Sequence, residues 1–119
     1  MSSIMVINAK GGSGKTTIST NLASYYANEG FKVTLVDLDP QGSASKWLSS
    51  RPITKEKIKG VTSLPPQKVS KKEDEITIFD VPAAIYGARL QTYIKKARKI
   101  IVPVLPSPID MSAAKDFLN

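Results

Sequence analysis

The sequence contains neither cysteine nor histidine among its 119 residues. The first absence excludes disulfides, thiolate zinc sites and cysteine-ligated iron–sulfur clusters. The second removes the usual general base and the commonest metal ligand, so any catalysis must run on carboxylates, lysines, hydroxyls and backbone amides. Long apolar runs are also missing, and no stretch of about 18 apolar residues is available to span a bilayer. The opening "MSSIMVINAK" lacks a basic leader, an apolar stretch and a small-residue cleavage site, which predicts a chain that is not secreted. Acids are scarce relative to bases, 10 against 17, leaving a net charge of +7.

What is present fits one domain of modest core, 1–119, since the length is too short for two. A hydrophobic content of 41% and a charged content of 23% are ordinary for a soluble globular protein. The positive charge is unevenly placed. Residues 46–72 hold Lys46, Arg51, Lys55, Lys57, Lys59, Lys68, Lys71 and Lys72 against the single acid Glu56. Arg89, Lys95, Lys96, Arg98 and Lys99 form a second cluster. Such runs are either a solvated surface or a face for a polyanion, phosphate backbone or acidic lipid.

Along the chain, strand and helix patterns alternate. "SIMVIN" is an apolar run of strand length, followed by a glycine loop and then a helix over 16–29. That helix carries Ile18, Leu22, Tyr25 and Tyr26 at helical spacing, with Gly30 as its stop. "KVTLVDLD" reads as a second buried strand, "SASKWL" as a short helix, and 51–74 as surface loop with room for one short strand. "EITIFD" is a further strand. Residues 86–97 place Tyr86, Leu90, Tyr93, Ile94 and Ala97 on one helical face, "KIIVPVLP" is another strand, and "SAAKDFLN" starts a last helix. Alternation of this kind predicts an α/β fold with a parallel sheet covered by helices on both faces. Ligands of such sheets lie beyond the carboxyl ends of the strands, where the glycine loop, Asp37, Asp39 and Asp80 all fall.

The loop "INAKGGSGKTT" carries the chemistry. Gly11, Gly12 and Gly14 let the backbone curl and, with Ser13, turn successive amides toward an anion. The following helix adds its positive end. In a phosphate loop Lys15 reaches the β- and γ-phosphates and the Thr16 hydroxyl ligates magnesium, with Thr17 completing the segment. Mg²⁺ keeps several waters and asks for carboxylates close by, for which Asp80 is well placed and Asp37 is a helper. The usual pattern G-x-x-x-x-G-K-[ST] is broken at its first glycine, where Ala9 stands, and an additional lysine, Lys10, precedes the glycines.

These residues carry a resemblance. "KGGSGKTT" is the deviant Walker A signature, "VDLDPQGSASKW" matches a D-x-D-P-Q segment, and "ITIFDVPA" and "KIIVPVLPSPIDMSAA" match the strands that follow. Together they resemble ParA-type partition ATPases of the ParA/MinD family, most weakly over 51–74. The resemblance implies a three-layer P-loop NTPase-like fold that binds ATP and Mg²⁺ and forms an ATP-dependent homodimer across two sandwiched nucleotides. It implies that Lys10 contacts phosphates in trans while Lys15 works in cis, a logic like that of an arginine finger. Asp39 would orient the attacking water and Asp37 would support the metal through water. Slow turnover completed by a ParB-like partner or cargo adaptor, non-specific DNA binding, and a bacterial cytoplasmic, nucleoid-associated location follow by the same resemblance.

Relatives of this kind usually continue past Asn119 with further strands, an adenine-holding loop and DNA-binding helices. The expectation is therefore that the C-terminal part of the sheet is missing and that nucleotide affinity is weakened by lost adenine contacts. The 99–105 strand would then be an open edge blunted by Pro103 and Pro106, available for dimerisation or strand exchange. Two alternatives stand beside the partition switch. A MinD-like membrane-surface ATPase would use a C-terminal amphipathic helix, for which "SAAKDFLN" is too short and polar. A non-hydrolysing interaction module would retain the fold alone. Metal-delivery relatives require cysteines and are excluded.

Overall fold

The computed structural model describes residues 3–7, 15–63, 72–81, 91–92 and 94–102, with the side chains of Lys15 and Thr16 outside that description. The described residues form, in chain order, β1 (Ser3–Val6), α1 (Lys15–Asn28), β2 (Lys32–Asp37), α2 (Ser43–Ser49), β3 (Ile58–Val61), β4 (Glu75–Asp80) and β5 (Lys99–Ile101). The strands form one sheet in the order β3-β2-β4-β1-β5, and every neighbouring pair is parallel. The order forces crossovers, since β1 and β2 are separated by β4.

Both sheet faces are buried, as the near-continuous apolar strands require. On one face Ile4, Val33, Leu35, Ile76 and Ile78 pack with Ala23 and Ala27 of α1 and Ala44 of α2. On the other, Met5, Ile7, Val36, Phe79 and Val81 pack with Ile94, Ala97 and Val102. Residues 91, 92 and 94 are helical, whereas Lys95 and Lys96 form a turn and Ala97 is irregular. The helix read over 86–97 therefore stops short of its expected end, although Ile94 and Ala97 still face the core. Tyr86, Leu90 and Tyr93 lie outside the described residues, as do 8–14, 64–71 and 103–119.

One expectation is corrected in α1. Its buried residues are Ser19, Thr20, Ala23 and Ala27, three of them at four-residue spacing, whereas Tyr25 is 56% exposed and Leu22 and Tyr26 only flank the core. Small side chains let the helix axis lie close to the sheet, so the bulky residues are pushed to its sides. Tyr26 is then held edge-on between Tyr25 and Phe31. A similar close approach explains Gly60. A Cβ there would stand 2.7 Å from Leu48 Cδ2, so the end of the Leu48 side chain of α2 occupies the space over this glycine.

Arg51 is also corrected. Counted with the basic surface in sequence, it is partly buried instead. Its Nε–H donates to the Glu56 carbonyl at 3.0 Å, and Nη1–H donates to Ser24 Oγ at 3.3 Å. Its guanidinium lies over the Trp47 ring, 5.4 Å from the centroid. The residue fastens the 51–56 segment to α1 and α2.

Candidate functional site

The acids converge on one edge because parallel strands all end on the same side. Asp37 closes β2, Asp80 closes β4, and the two are register partners in adjacent strands. Asp80 also pairs in register with Val6, the last residue of β1. Register partners in parallel strands project to the same face, here the face covered by α1 and α2. Asp80 is fully buried and Asp37 nearly so.

Each acid meets a helix through a serine that the sequence reading did not single out. Ser19, one turn beyond Lys15 on α1, donates its hydroxyl to Asp80 Oδ1 at 3.3 Å. The start of α1 therefore stands over the end of β4. Ser45, in the first turn of α2, gives Asp37 Oδ2 both its backbone N–H and its hydroxyl, each at 2.8 Å. Asp37 Oδ1 accepts the Asp39 N–H at 3.1 Å. Helix α2 starts from Gly42, which has no side chain to cap it, and Asp37 supplies the missing acceptor from the neighbouring strand. The available signal for Ser45 was its place three residues after Gly42, where a helix N–H needs a partner.

The segment between β2 and α2 is locked by its own chemistry. "DPQG" puts Asp, Pro and Gly at the first, second and fourth positions of a turn, the composition of a type I turn. The Gly42 N–H indeed donates to the Asp39 carbonyl at 2.9 Å, and the Gln41 N–H donates to Asp39 Oδ1 at 2.9 Å. Gly42 has φ +67°, a left-handed conformation that glycine adopts without strain. Asp37, Asp39, Pro40, Gly42, Ser45 and Thr62 line a single recess at the sheet edge. The structure thus brings Asp37 and Asp39 together on one recess and Asp37 beside Asp80.

Lys15 and Thr16 begin α1, and Thr17 is exposed on its first turn. Lys10, Gly11, Gly12, Ser13 and Gly14 lie outside the described residues. Among the described residues no group of three or more Asp or Glu side chains is assembled to hold a metal alone. The donor set is nonetheless oxygen only, with two carboxylates side by side, which fits a hard cation that keeps waters and shares phosphate oxygens. Magnesium on a triphosphate is such a cation. Among the described residues no helix is long and apolar enough to cross a membrane.

A parallel sheet with crossover helices on both faces, a glycine-rich segment leading from β1 to α1, and acids at the strand ends define a P-loop NTPase-like α/β protein. The family model described as "AAA domain" (AAA_31) matches residues 1–119. The chain is 35% identical to "Maintenance of carboxysome distribution protein A" of Halothiobacillus neapolitanus over 98% of its own length and 56% of that protein. It is 56% identical to "Chromosome-partitioning ATPase Soj" of Thermus thermophilus over 40% of its length and 19% of that protein, and 26% identical to "Protein ParA" of Rhizobium radiobacter over 98% and 54%. This chain belongs to the ParA/MinD-type family. It spans about half the length of relatives that it matches along nearly its whole extent.

Proposed function

We propose that the chain is the phosphate- and metal-binding portion of a ParA-type ATPase, a single domain over 1–119. In this reading ATP drives dimerisation, and the dimer positions a plasmid, chromosome or protein cargo through non-specific DNA binding. The observation that carries the proposal is the in-register pair Asp37 and Asp80, with the first turn of α1 held over Asp80 by Ser19. Asp80 under α1, with Asp37 next to it in register, supports a reading in which both carboxylates serve a metal-bound triphosphate held by Lys15 and Thr16.

Roles follow from charge and reach. Lys15 holds the β- and γ-phosphates of its own subunit's nucleotide, and the backbone of Gly11 to Gly14 cradles them. Lys10 reaches the phosphates bound by a second copy, so dimerisation and nucleotide become mutually dependent. Thr16 and Asp80 would hold Mg²⁺, with Asp37 supporting it through water. When bound, the ion supplies charge neutralisation across the phosphate oxygens. Asp39 orients the attacking water from the recess that it shares with Asp37. Positioning and charge stabilisation suffice for phosphoryl transfer, so the absence of histidine is no obstacle. A ParB-like activator or cargo adaptor would complete the site, in the bacterial cytoplasm at the nucleoid.

The test is steady-state ATP turnover of the chain and of its Asp39→Ala variant, with assembly followed by light scattering in ATP and in ADP. Loss of an orienting carboxylate is expected to lower turnover by about 100-fold or more. Lys10→Ala is expected to abolish the ATP-dependent dimer while leaving nucleotide bound. Equal turnover in the Asp39→Ala variant, or a Lys10→Ala chain that still dimerises with ATP, removes these roles.

A further inference from the structure

The basic run over 46–72 does not act as one surface, because Arg51 is taken up internally. What remains described of it on the outer edge of the sheet is Lys55, Lys57 and Lys59, all exposed and none ion-paired among the described residues. We propose that this β3 edge docks the sugar–phosphate backbone of nucleic acid, at the end of the sheet away from the triphosphate site. The inference rests on the DNA-binding reading above and assigns a surface to it.

Four observations carry it. Strand β3 is the outer strand of the sheet, paired with β2 alone among the described residues. Lys57 directly precedes β3 and Lys59 is its second residue, so both share one face of an extended segment roughly 7 Å apart. That separation is about the rise of two nucleotides along one strand. The segment is also held in place before any partner arrives. The Lys55 N–H donates to the Pro52 carbonyl at 3.0 Å, and Arg51 fastens the turn's base to Glu56 and Ser24. A prearranged cationic surface loses little freedom on binding.

Location is the fourth. Lys57 and Lys59 lie toward the amino-terminal end of β3, near Lys32 at the start of β2, where they line a common recess with Glu56. Lys32 is paired with Asp74 at 3.9 Å, which leaves Lys57 and Lys59 as the recess's unpaired cations among the described residues. Asp37 and Asp80 stand at the opposite ends of their strands. A polyanion on the lysines therefore does not compete with nucleotide phosphates, and the two can be held together. The single apolar residue at the turn, Ile53, is fully exposed. One isoleucine is too little apolar surface for a lipid bilayer, which favours nucleic acid as the partner.

The experiment is fluorescence anisotropy of a short random-sequence DNA duplex with the chain in ATP and Mg²⁺, titrated at 50 and 200 mM salt. The K55Q/K57Q/K59Q variant is compared with K95Q/R98Q/K99Q, which removes the same charge from the opposite β5 edge. Both sets are exposed, and urea midpoints equal to the parent's establish that both variants fold. Removing three phosphate contacts is expected to lower the salt slope by about 2.7. The parent then loses about 40-fold more affinity than the β3-edge variant between the two salt concentrations, and the β5-edge variant stays close to the parent. Equal losses in the two variants, or none in the β3-edge variant, overturn the assignment while leaving DNA binding itself intact. No duplex binding by the parent overturns this surface. Binding to anionic vesicles that Ile53→Ser abolishes, without duplex binding, assigns the edge to a membrane instead.

Discussion

Asp37→Asn separates the structural duty of this acid from its proposed duty toward a metal. The carboxylate is nearly buried, and its two oxygens accept three hydrogen bonds, from the Asp39 N–H, the Ser45 N–H and the Ser45 hydroxyl. Asparagine retains an oxygen for Asp39, but its amide opposes the Ser45 N–H with a second donor. The Ser45 hydroxyl can turn and accept. One charge-assisted bond is thus lost and two others are weakened, together about 4–5 kcal/mol. A counter-effect exists because Asp80 is the register partner. With carboxylates roughly 6 Å apart at an effective dielectric of about 20, removing one charge relieves about 2–3 kcal/mol. Hydrogen bonding wins, and the net loss is about 2 kcal/mol.

In urea denaturation without nucleotide, that loss moves the midpoint down by about 1 M. A double-mutant cycle with Ser45→Ala should return a coupling of at least about 1 kcal/mol, since the two residues share the interaction. An Asp37→Asn chain as stable as the parent, or more stable, would show that repulsion outweighs capping and refute the reasoning.

Further expectations concern the frame around the site. Gly42→Ala should cost about 1 kcal/mol, because φ is +67° although the added methyl meets nothing within 4 Å, and Gly42→Asn should recover most of it in thermal melts. Gly60→Ala should be nearly neutral, since the atom in its way is the mobile end of Leu48, whereas Gly60→Val should cost about 1–3 kcal/mol by displacing α2. Arg51→Met should cost about 2 kcal/mol through lost bonds to Glu56 and Ser24, and should change the emission of Trp47, the one tryptophan of the chain. An unchanged emission spectrum would contradict the stacking.

The sequence alone marked most of the elements and the acids at their ends. "EITIFD" has the bounds of β4, and the acids of "VDLD" and "EITIFD" stand at strand ends, because local apolar runs and turn residues mark strands wherever both faces are buried. The turn at Asp39–Gly42 was written in its composition for the same local reason. Tertiary structure decided what depends on residues far apart in the chain. The order β3-β2-β4-β1-β5 makes Asp37 and Asp80 neighbours across 43 residues of sequence, and only that pairing tells which acids share a face. Ser19 and Ser45 gain their roles from helices laid against those strand ends, and Arg51 leaves the basic surface because Trp47 and Ser24 meet it. In α1 a hydrophobic pattern pointed to Tyr25, yet close packing chose Ser19, Ala23 and Ala27, because proximity to a sheet selects for small volume before it selects for apolarity.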